Sequence, residues 1–389
     1  MGRNGYKRRV GDDSLGHVAK PLSSMRRLSI RAVVNQFFRS PPPSRPSRLR
    51  TSTLIRRDVM PDTVIPIQAM WFSSGQWVHA PRTPFDANAR YATASLPTSL
   101  TLITWNVDFY MDEAPLRLTT ALDYLQIYAF PEYEGWQPPP CMILLQEVER
   151  DAFPALLAHP WVQAWFMVVP GSPREGWPQG GSHRYGTVTL VARSVVLAAS
   201  ACVHFKESRM GRNALVTDVL LGGSEPHARV LRVVNTHLES MPEGARRRAV
   251  QLGEIAQLLR SGGTETVFAG GVVCGDMNAI VPSDAMLPEQ NGLLDAWDEQ
   301  RRRHRRHRRR SRGMGLEGED EEEEGITWGY QPPCEFPPGR LDKILYTDSD
   351  AFEMKGIRRL GVELRMSTPE GRIDWVSDHY GLLCHVEAR

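Results

Sequence analysis

The sequence predicts a two-sheet α/β sandwich, and three observations carry the prediction. Eight short apolar, β-branched runs recur along the chain, helical patterns alternate with some of them, and polar residues cluster at the ends of the runs. Apolar residues at successive positions mark strands buried on both faces, and strands packed on strands with helices outside form a sandwich. At 389 residues the chain is long enough to bury a large core.

Residues 1–60 precede the folded body. Up to residue 57 they hold 14 Lys and Arg against two acidic residues, Asp12 and Asp13, a balance of +12 that leaves −10 for the remainder. Rich in Arg, Ser and Pro, with PPPSRPSR at 41–48 and no sustained apolar period, the arm cannot bury enough surface to offset its ordering entropy. It reads as a disordered arm or targeting segment, within which SSMRRLSIRAVVNQFFRS has the pattern of a short basic amphipathic helix. Nuclear import is the expected address, and the Arg/Ser-rich composition makes a mitochondrial transit segment the alternative.

The runs of the body, residues 90–389, are SLTLITWNV, CMILLQEV, TVTLVAR, ALVTDVLL, VLRVVNTHL, TVFAGGVVCGD, LDKILYT and YGLLCHVE. PLRLTTALDYLQIY predicts a helix entered through Pro115. GARRRAVQLGEIAQLLR predicts another, with Val250, Ile255, Leu258 and Leu259 on its apolar face and Gly262-Gly263 ending it. Near 300–325, RRRHRRHRRRSR is followed by EGEDEEEE. Blocks of like charge repel, so a charged disordered insertion is expected there. Its arginines suit a nuclear-localisation or nucleic-acid patch, or are neutralised by the neighbouring acids. No internal sequence repeat is evident, although such a sandwich can be pseudo-symmetric.

Other classes are excluded at this level. No apolar run approaches the roughly 18–20 residues that cross a bilayer, and no continuous apolar block near Met1 forms a secretory leader. Five cysteines, none in a CxxC pair, argue against a disulfide framework or structural zinc and for a reducing compartment.

The chemistry lies at the strand ends. Asn106 and Asp108 follow one run, Gln146 and Glu147 a second, Asn235 and His237 a third, and Asp276 and Asn278 a fourth; Asp342 follows Arg340-Leu341, and Asp378-His379 precede the last run. One polar residue after a strand is usually a turn former. Six such sites supplying Asn, Asp, Glu and His, without a Cys or Ser nucleophile, form a coherent set. Clustered carboxylates need a cation, and carboxylate plus water suits Mg²⁺, so Asp108 and Glu147 are the candidate metal ligands. Asp276 is placed to orient or deprotonate water. Asp342 and His379 form a natural pair that keeps the imidazole cationic for charge stabilisation. Together these predict metal-assisted phosphoester hydrolysis without a covalent intermediate.

TWNVD (104–108), LLQEV (144–148), NTHLES (235–240), CGDMN (274–278), RLDKILY (340–346) and SDHYGLL (377–383) resemble, in order, the blocks of the endonuclease/exonuclease/phosphatase superfamily. Within it the chain is most similar to the 5′-tyrosyl-DNA phosphodiesterases, through its TWNVD start, Thr236 to Ser240, Thr327-Trp328 before Arg340 to Ile344, Arg212-Asn213, and the Ser377 to Cys384 ending. The resemblance implies a four-layered α/β sandwich, two packed mixed β-sheets flanked by helices. It implies Mg²⁺ (with Mn²⁺ a substitute) on Asp108 and Glu147, and Asp276 as proton acceptor and donor. It puts Asn106, His237, Asn278 and His379 at the scissile phosphate, Asp342 behind His379, and Arg212 and Trp328 on the substrate side. DNA 5′ ends would be the partner and a monomer the expected state.

Two departures border the substrate groove. Ile280 stands where that group usually has an arginine, and Phe109-Tyr110-Met111-Asp112 replaces its usual GLD.

Plainer roles exist for each residue: turn formers for Asn106, Asp108, Asp276 and Asn278, a solvated carboxylate for Glu147, and structural imidazoles for His237 and His379. Six ordered blocks outweigh them. Trp328 reads as a packing residue before a base-stacking one, and Arg212 equally as a surface arginine or a phosphate contact. Rival functions are another enzyme of the superfamily, such as an abasic endonuclease or a deadenylase, and an inactive nucleic-acid-binding protein. Against the last, every site position holds a competent side chain.

Overall fold

Two large sheets face one another in this computed structural model, which describes residues 64–80, 96–130, 137–178, 184–222, 228–262, 268–311 and 325–389. The expected arm, residues 1–60, lies outside the described residues. By its contacts the chain divides after Arg57, and Asp58–Arg389 is one unit.

In chain order the strands are β1 Val64–Pro66, β2 Met70–Ser73, β3 Gln76–His79, β4 Ser99–Asn106, β5 Cys141–Glu149, β6 Phe166–Val169, β7 Tyr185–Ala192, β8 Leu197–His204, β9 Asn213–Leu221, β10 Arg229–His237, β11 Phe268–Asp276, β12 Leu293–Asp295, β13 Asp342–Thr347, β14 Phe352–Leu360, β15 Arg365–Ser367, β16 Ile373–Trp375 and β17 Gly381–Ala388. One sheet runs β1-β8-β9-β10-β11-β13-β12 and the other β14-β17-β4-β5-β7-β6-β2-β3. All eight expected runs are strands. The sheets also take in residues 64–79, which the sequence left outside the body: β1 pairs with β8 and β2 with β6.

Three helices among the described residues exceed ten residues: α1 Ala114–Tyr124, α2 Ala245–Leu258 and α3 Ala296–Ser311. In α1 the buried positions 114, 117, 118, 121 and 122 trace one helical face. A π-turn, Leu125–Ala129, continues the expected helix. In α2 the expected face holds at Ile255, Leu258 and Leu259, which are buried, and fails at Val250. Val250 is 38% exposed, and Arg248, Gln251, Leu252, Ile255, Ala256 and Leu258 face inward. The fully buried Arg248 is neutralised by Asp284 at 2.7 Å and donates to the Glu239 and Met241 carbonyls, so a charged residue takes an inward place that hydrophobicity gave to Val250. α3 corrects the expectation of a disordered stretch from residue 300, since the chain is helical to Ser311; residues 312–324 lie outside the described residues.

Strand alternation separates the layers. Val233, Val272, Cys274 and Ile344 join the core between the sheets, while Val234, Val273 and Leu345 pack with Leu252 and Ile255 of α2. Among the described residues each sheet has one parallel pair, β4 with β5 and β10 with β11, and each pair is joined through a long helix, α1 or α2. The molecule is thus two strand–helix–strand units, packed so that the carboxyl ends of all four strands meet. No described helix is long and apolar enough to cross a membrane.

Candidate active site

The four strand ends converge on Asp276. Its Oδ2 accepts from Asn106 Nδ2 at 3.1 Å and lies 3.3 Å from His237 Nε2 and 3.9 Å from His379 Nε2. Three elements far apart in sequence therefore aim at one carboxylate oxygen. Asp276 Oδ1 accepts from the backbone N–H of Asn278 at 2.8 Å, and Asn106 Oδ1 accepts from that of Asp108 at 3.1 Å. Both are Asx-type turns that let the chain leave a strand and reverse. They hold Asp108 at φ 55° and Asn278 at φ 46°, in the left-handed region that side chains rarely adopt. Gly275, at φ 147°, is required beside them because a Cβ there would lie 1.9 Å from the Thr236 carbonyl oxygen.

Glu147 shares this strain at φ 59°. It sits where the register between β5 and β7 slips, between Leu145 and Val148, a bulge that turns its side chain toward the site. Its Oε2 accepts from the Phe109 N–H at 3.1 Å and its Oε1 lies 3.8 Å from His237 Nε2. Asp108 Oδ1 accepts from the Tyr110 N–H at 3.0 Å.

The two histidines differ in state for visible reasons. Arg212 Nη1 stands 2.8 Å from His237 Nδ1. A guanidinium only donates, so Nδ1 accepts and the ring carries its proton on Nε2, facing Asp276. Burial, then Arg212 and His379, push the His237 pKa well below its ordinary value, so it is a neutral donor. His379 Nδ1 lies 2.7 Å from Asp342 Oδ2. Burial alone would lower this imidazole, but Asp342, Asp378 and Asp276 outweigh it and hold the pKa well above the ordinary value. Thr327 Oγ1 accepts from the Asp342 N–H, and the Trp105 and Gln331 side chains donate to the His379 carbonyl.

The acids are raised. Burial, then Asp378, pushes Asp108 up to about 7; burial, then Asp378 and Asp108, pushes Glu147 up to about 8; burial pushes Asp276 up to about 6 against the pull of His379. Among the described residues no Lys or Arg lies within 4.0 Å of the Asp108 or Glu147 carboxylates. Arg117 and His379 pull on Asp108 and Arg212 and His379 on Glu147, but burial and the neighbouring acids outweigh them, and two largely buried acids with no direct cationic partner fit a divalent ion completed by water. Among the described residues no group of three or more His, Cys, Asp or Glu stands close enough together to hold a metal by itself, so water and substrate oxygens would complete the coordination.

Every expected site residue lies in or against this cluster. Arg212 is buried, not a surface arginine: beyond His237 it donates to Ser240 Oγ at 2.8 Å and caps the Tyr185 ring at 5.4 Å, with Phe109 stacked on that ring at 3.8 Å. Asn278 Nδ2 donates to the Leu238 carbonyl. Trp328 is half-buried and donates Nε1 to Asp378 Oδ2 at 3.0 Å. Asp378 enters the sequence reading only as the neighbour of His379 ahead of the last run; the structure makes it a site acid, 3.8 Å from His379 Nε2 and raising both Asp108 and Glu147. Only its place in Ser377-Asp378-His379 hinted at this. Gln146 and Asn235 stand apart: Gln146 Nε2 donates to Asn235 Oδ1 at 2.8 Å, a buried clamp between the sheets. Ile280 is 38% exposed and Tyr110 48%, an apolar margin beside Asn278 and Asp108.

This fold and these ends define a class. Over residues 103–379 the sequence matches the Endonuclease/Exonuclease/phosphatase family, and the chain belongs to that family. No curated protein matches it. Among solved structures it resembles TDP2 from C. elegans (TM-score 0.54, 18% identity, 75% of this chain and 76% of that one). It also resembles D. rerio TDP2 complexed with a single strand DNA product (0.51, 21%, 74% and 99%) and a D. rerio TDP2 humanized by 14 mutations (0.51, 20%, 75% and 99%). The shared fold is the four-layered α/β sandwich.

Proposed function

We propose that this protein is a divalent-cation-dependent phosphodiesterase that hydrolyses a phosphoester at DNA 5′ ends, in the manner of the 5′-tyrosyl-DNA phosphodiesterases. The observation that carries the reading is the single Asp276 oxygen addressed by Asn106, His237 and His379 beside two buried acids held well above the usual carboxylate range. Asp276 accepts a proton from water as the water oxygen bonds to phosphorus and the bond to the leaving oxygen breaks. His379, kept cationic by Asp342, and the neutral Nε2–H of His237 face the charge that builds on the phosphoryl oxygens. Asn106 and Asn278 fix the phosphate's orientation. Asp108 and Glu147 would hold the cation, Mg²⁺ with Mn²⁺ a substitute, which when bound polarises a phosphoryl oxygen and offsets charge on the leaving group. A phenolate leaves readily, so weak leaving-group protonation suffices.

The six motif blocks and the fold shared with a TDP2 complexed with a single strand DNA product support DNA as the partner. The test incubates 5′-phosphotyrosyl and abasic oligonucleotides with the protein, with Mg²⁺ or with EDTA. Release of tyrosine only with Mg²⁺ is expected; no cleavage of the first substrate, or cleavage indifferent to EDTA, defeats the reading. The nucleus is the proposed compartment and mitochondria the alternative, which imaging of a fluorescent fusion to residues 1–57 distinguishes.

A further inference from the structure

We propose that the arginine end of α3 is a second nucleic-acid contact, far from the catalytic centre, that grips phosphates several nucleotides from the scissile one. The inference rests on the reading above in taking nucleic acid as the partner.

Residues 301–310 read RRRHRRHRRR. In a helix, Arg301 and Arg305, Arg302 and Arg305, and Arg302 and Arg306 are neighbours of like charge, which opposes the helix. The C-terminal dipole offsets little of that. Arg302 pairs with Glu299 and Arg303 with Glu353, but among the described residues Arg301, Arg305 and Arg306 have no ion pair. Arg302, His304, Arg305 and Arg306 are exposed. Among the described residues the helix therefore offers several cations without an ion-pair partner at close, repeated spacing. A phosphodiester chain, a repeating monoanion, matches that pattern without fixed register, and the guanidinium fork suits phosphate oxygens.

The location follows from the register. β17 begins at Gly381, beside His379 and opposite Leu360, and ends at Ala388 opposite Phe352. Gln300 of α3 bonds to Ile357 midway along β14, and Arg303 reaches Glu353 and Met354 near its start. The helix thus runs away from the site, and its arginines lie roughly 24 Å of strand from His379. A stacked strand advances about 3.4 Å per nucleotide, so the contact needs about seven nucleotides beyond the scissile phosphate.

The experiment compares wild type with R301Q/R305Q/R306Q, whose glutamines keep helix propensity, and with R301K/R305K/R306K. Binding of 5′-hydroxyl oligonucleotides, which offer no 5′ phosphoester to cleave, is measured against salt at about four and about 20 nucleotides. For the long strand the Gln variant should lose affinity about tenfold or more and its log–log salt slope should fall by about two, while the Lys variant keeps the slope. The short strand and the hydrolysis of a small nitrophenyl phosphodiester should not change. An unaltered slope for the long strand, meaning the charge is already neutralised within the chain, overturns the proposal. So does equal loss on the short strand. A protein that cleaves nothing but shows the slope difference sinks the catalytic reading and leaves this one standing; cleavage without a slope difference does the reverse.

Discussion

Among the polar pairs that cross between the sheets, two are counterparts by the strands that carry them. The topology relates β4 to β10 and β5 to β11, each parallel pair joined by its helix. Strand for strand, that relation sets the β4–β11 contact, Asn106–Asp276 at 3.1 Å, against a β10–β5 contact, Asn235–Gln146 at 2.8 Å. In one pair both partners are amides. Gln146 also donates to Thr104 and the Leu144 carbonyl, and Asn235 to the Leu145 and Val188 carbonyls, so little donor capacity is left for a ligand. In the other pair a carboxylate replaces an amide, and two imidazoles gather on it. One architecture thus yields a clamp or a reactive centre according to whether the second partner can carry charge. The lesson is that the same strand-end geometry has been given two uses, and substitution should move a residue from one use to the other.

Asp276→Asn does this most directly, since it makes the reactive pair into a second all-amide pair. Turnover should fall about a hundredfold or more with the fold intact. The buried carboxyl is already raised to about 6, so its loss should not lower the melting temperature near pH 8. Single-turnover hydrolysis and a thermal melt read both. Near-normal turnover would erase the distinction between the pairs.

Asp342→Asn should cost about ten- to a hundredfold and change the shape of the pH profile. His379 is raised, so its cation is present below its folded pKa and lost as pH rises through it. Without Asp342 that loss comes earlier, and the alkaline limb of the rate profile should move to lower pH. A limb that stays in place would show that His379 does not act as a cation.

The third contrast is between the acids of the β4–β5 end and the amides of the clamp. Asp108 and Glu147, at about 7 and about 8 when folded, keep protons that unfolded carboxylates release near about 4. Stability should therefore fall as pH rises across that window. A divalent cation should restore it, with a melting shift of several degrees in millimolar Mg²⁺ near about pH 8 and almost none near about pH 5. Glu147→Gln should abolish the shift; Asp276→Asn should keep it.

Much of this was legible beforehand because the relevant strands are buried on both faces and carry their chemistry immediately after the apolar run, as Asn106, His237 and Asp276 do. What was not legible depends on packing. β8, Leu197–His204, is built largely of small residues, three Ala with Ser200 and Cys202, and β14 carries Lys355, Arg358 and Arg359, so neither has the apolar run that marked the central strands. Arg248 replaces Val250 on the inner face of α2 only because Asp284, 36 residues on, neutralises it. Asp378 gains its role from the side chains that fold around it. α3 sits where like charge argues against any helix, and Gln300 with Arg303 docks it on β14.

Gln146→Ala tests the clamp. Its buried amide has three acceptors, and removing it leaves Asn235 Oδ1 without that donor, at a cost of about 1–3 kcal/mol in urea unfolding. Turnover should stay within about threefold, since a loss that small at the barrier is well under 1 kcal/mol. A large loss of activity at unchanged stability would mean the two pairs are not separable.

Trp328→Phe should have a small effect on stability, and it decides between two uses of that ring. The indole N–H holds Asp378 at 3.0 Å, while the backbone of Trp328 bridges to Gly339 and His379. Phenylalanine keeps the backbone and most of the packing but loses one half-exposed hydrogen bond, worth about 1 kcal/mol. Asp378 lies 3.8 Å from His379 Nε2 and acts on both raised acids, so a looser Asp378 should lower kcat by about two- to tenfold and leave KM nearly unchanged. A ring that stacks on a nucleobase would behave in the opposite way: phenylalanine would largely preserve binding, Trp328→Ala would raise KM, and kcat would hold. Measuring the two constants separately for both variants shows whether Trp328 serves the charged pair from behind or the substrate from in front.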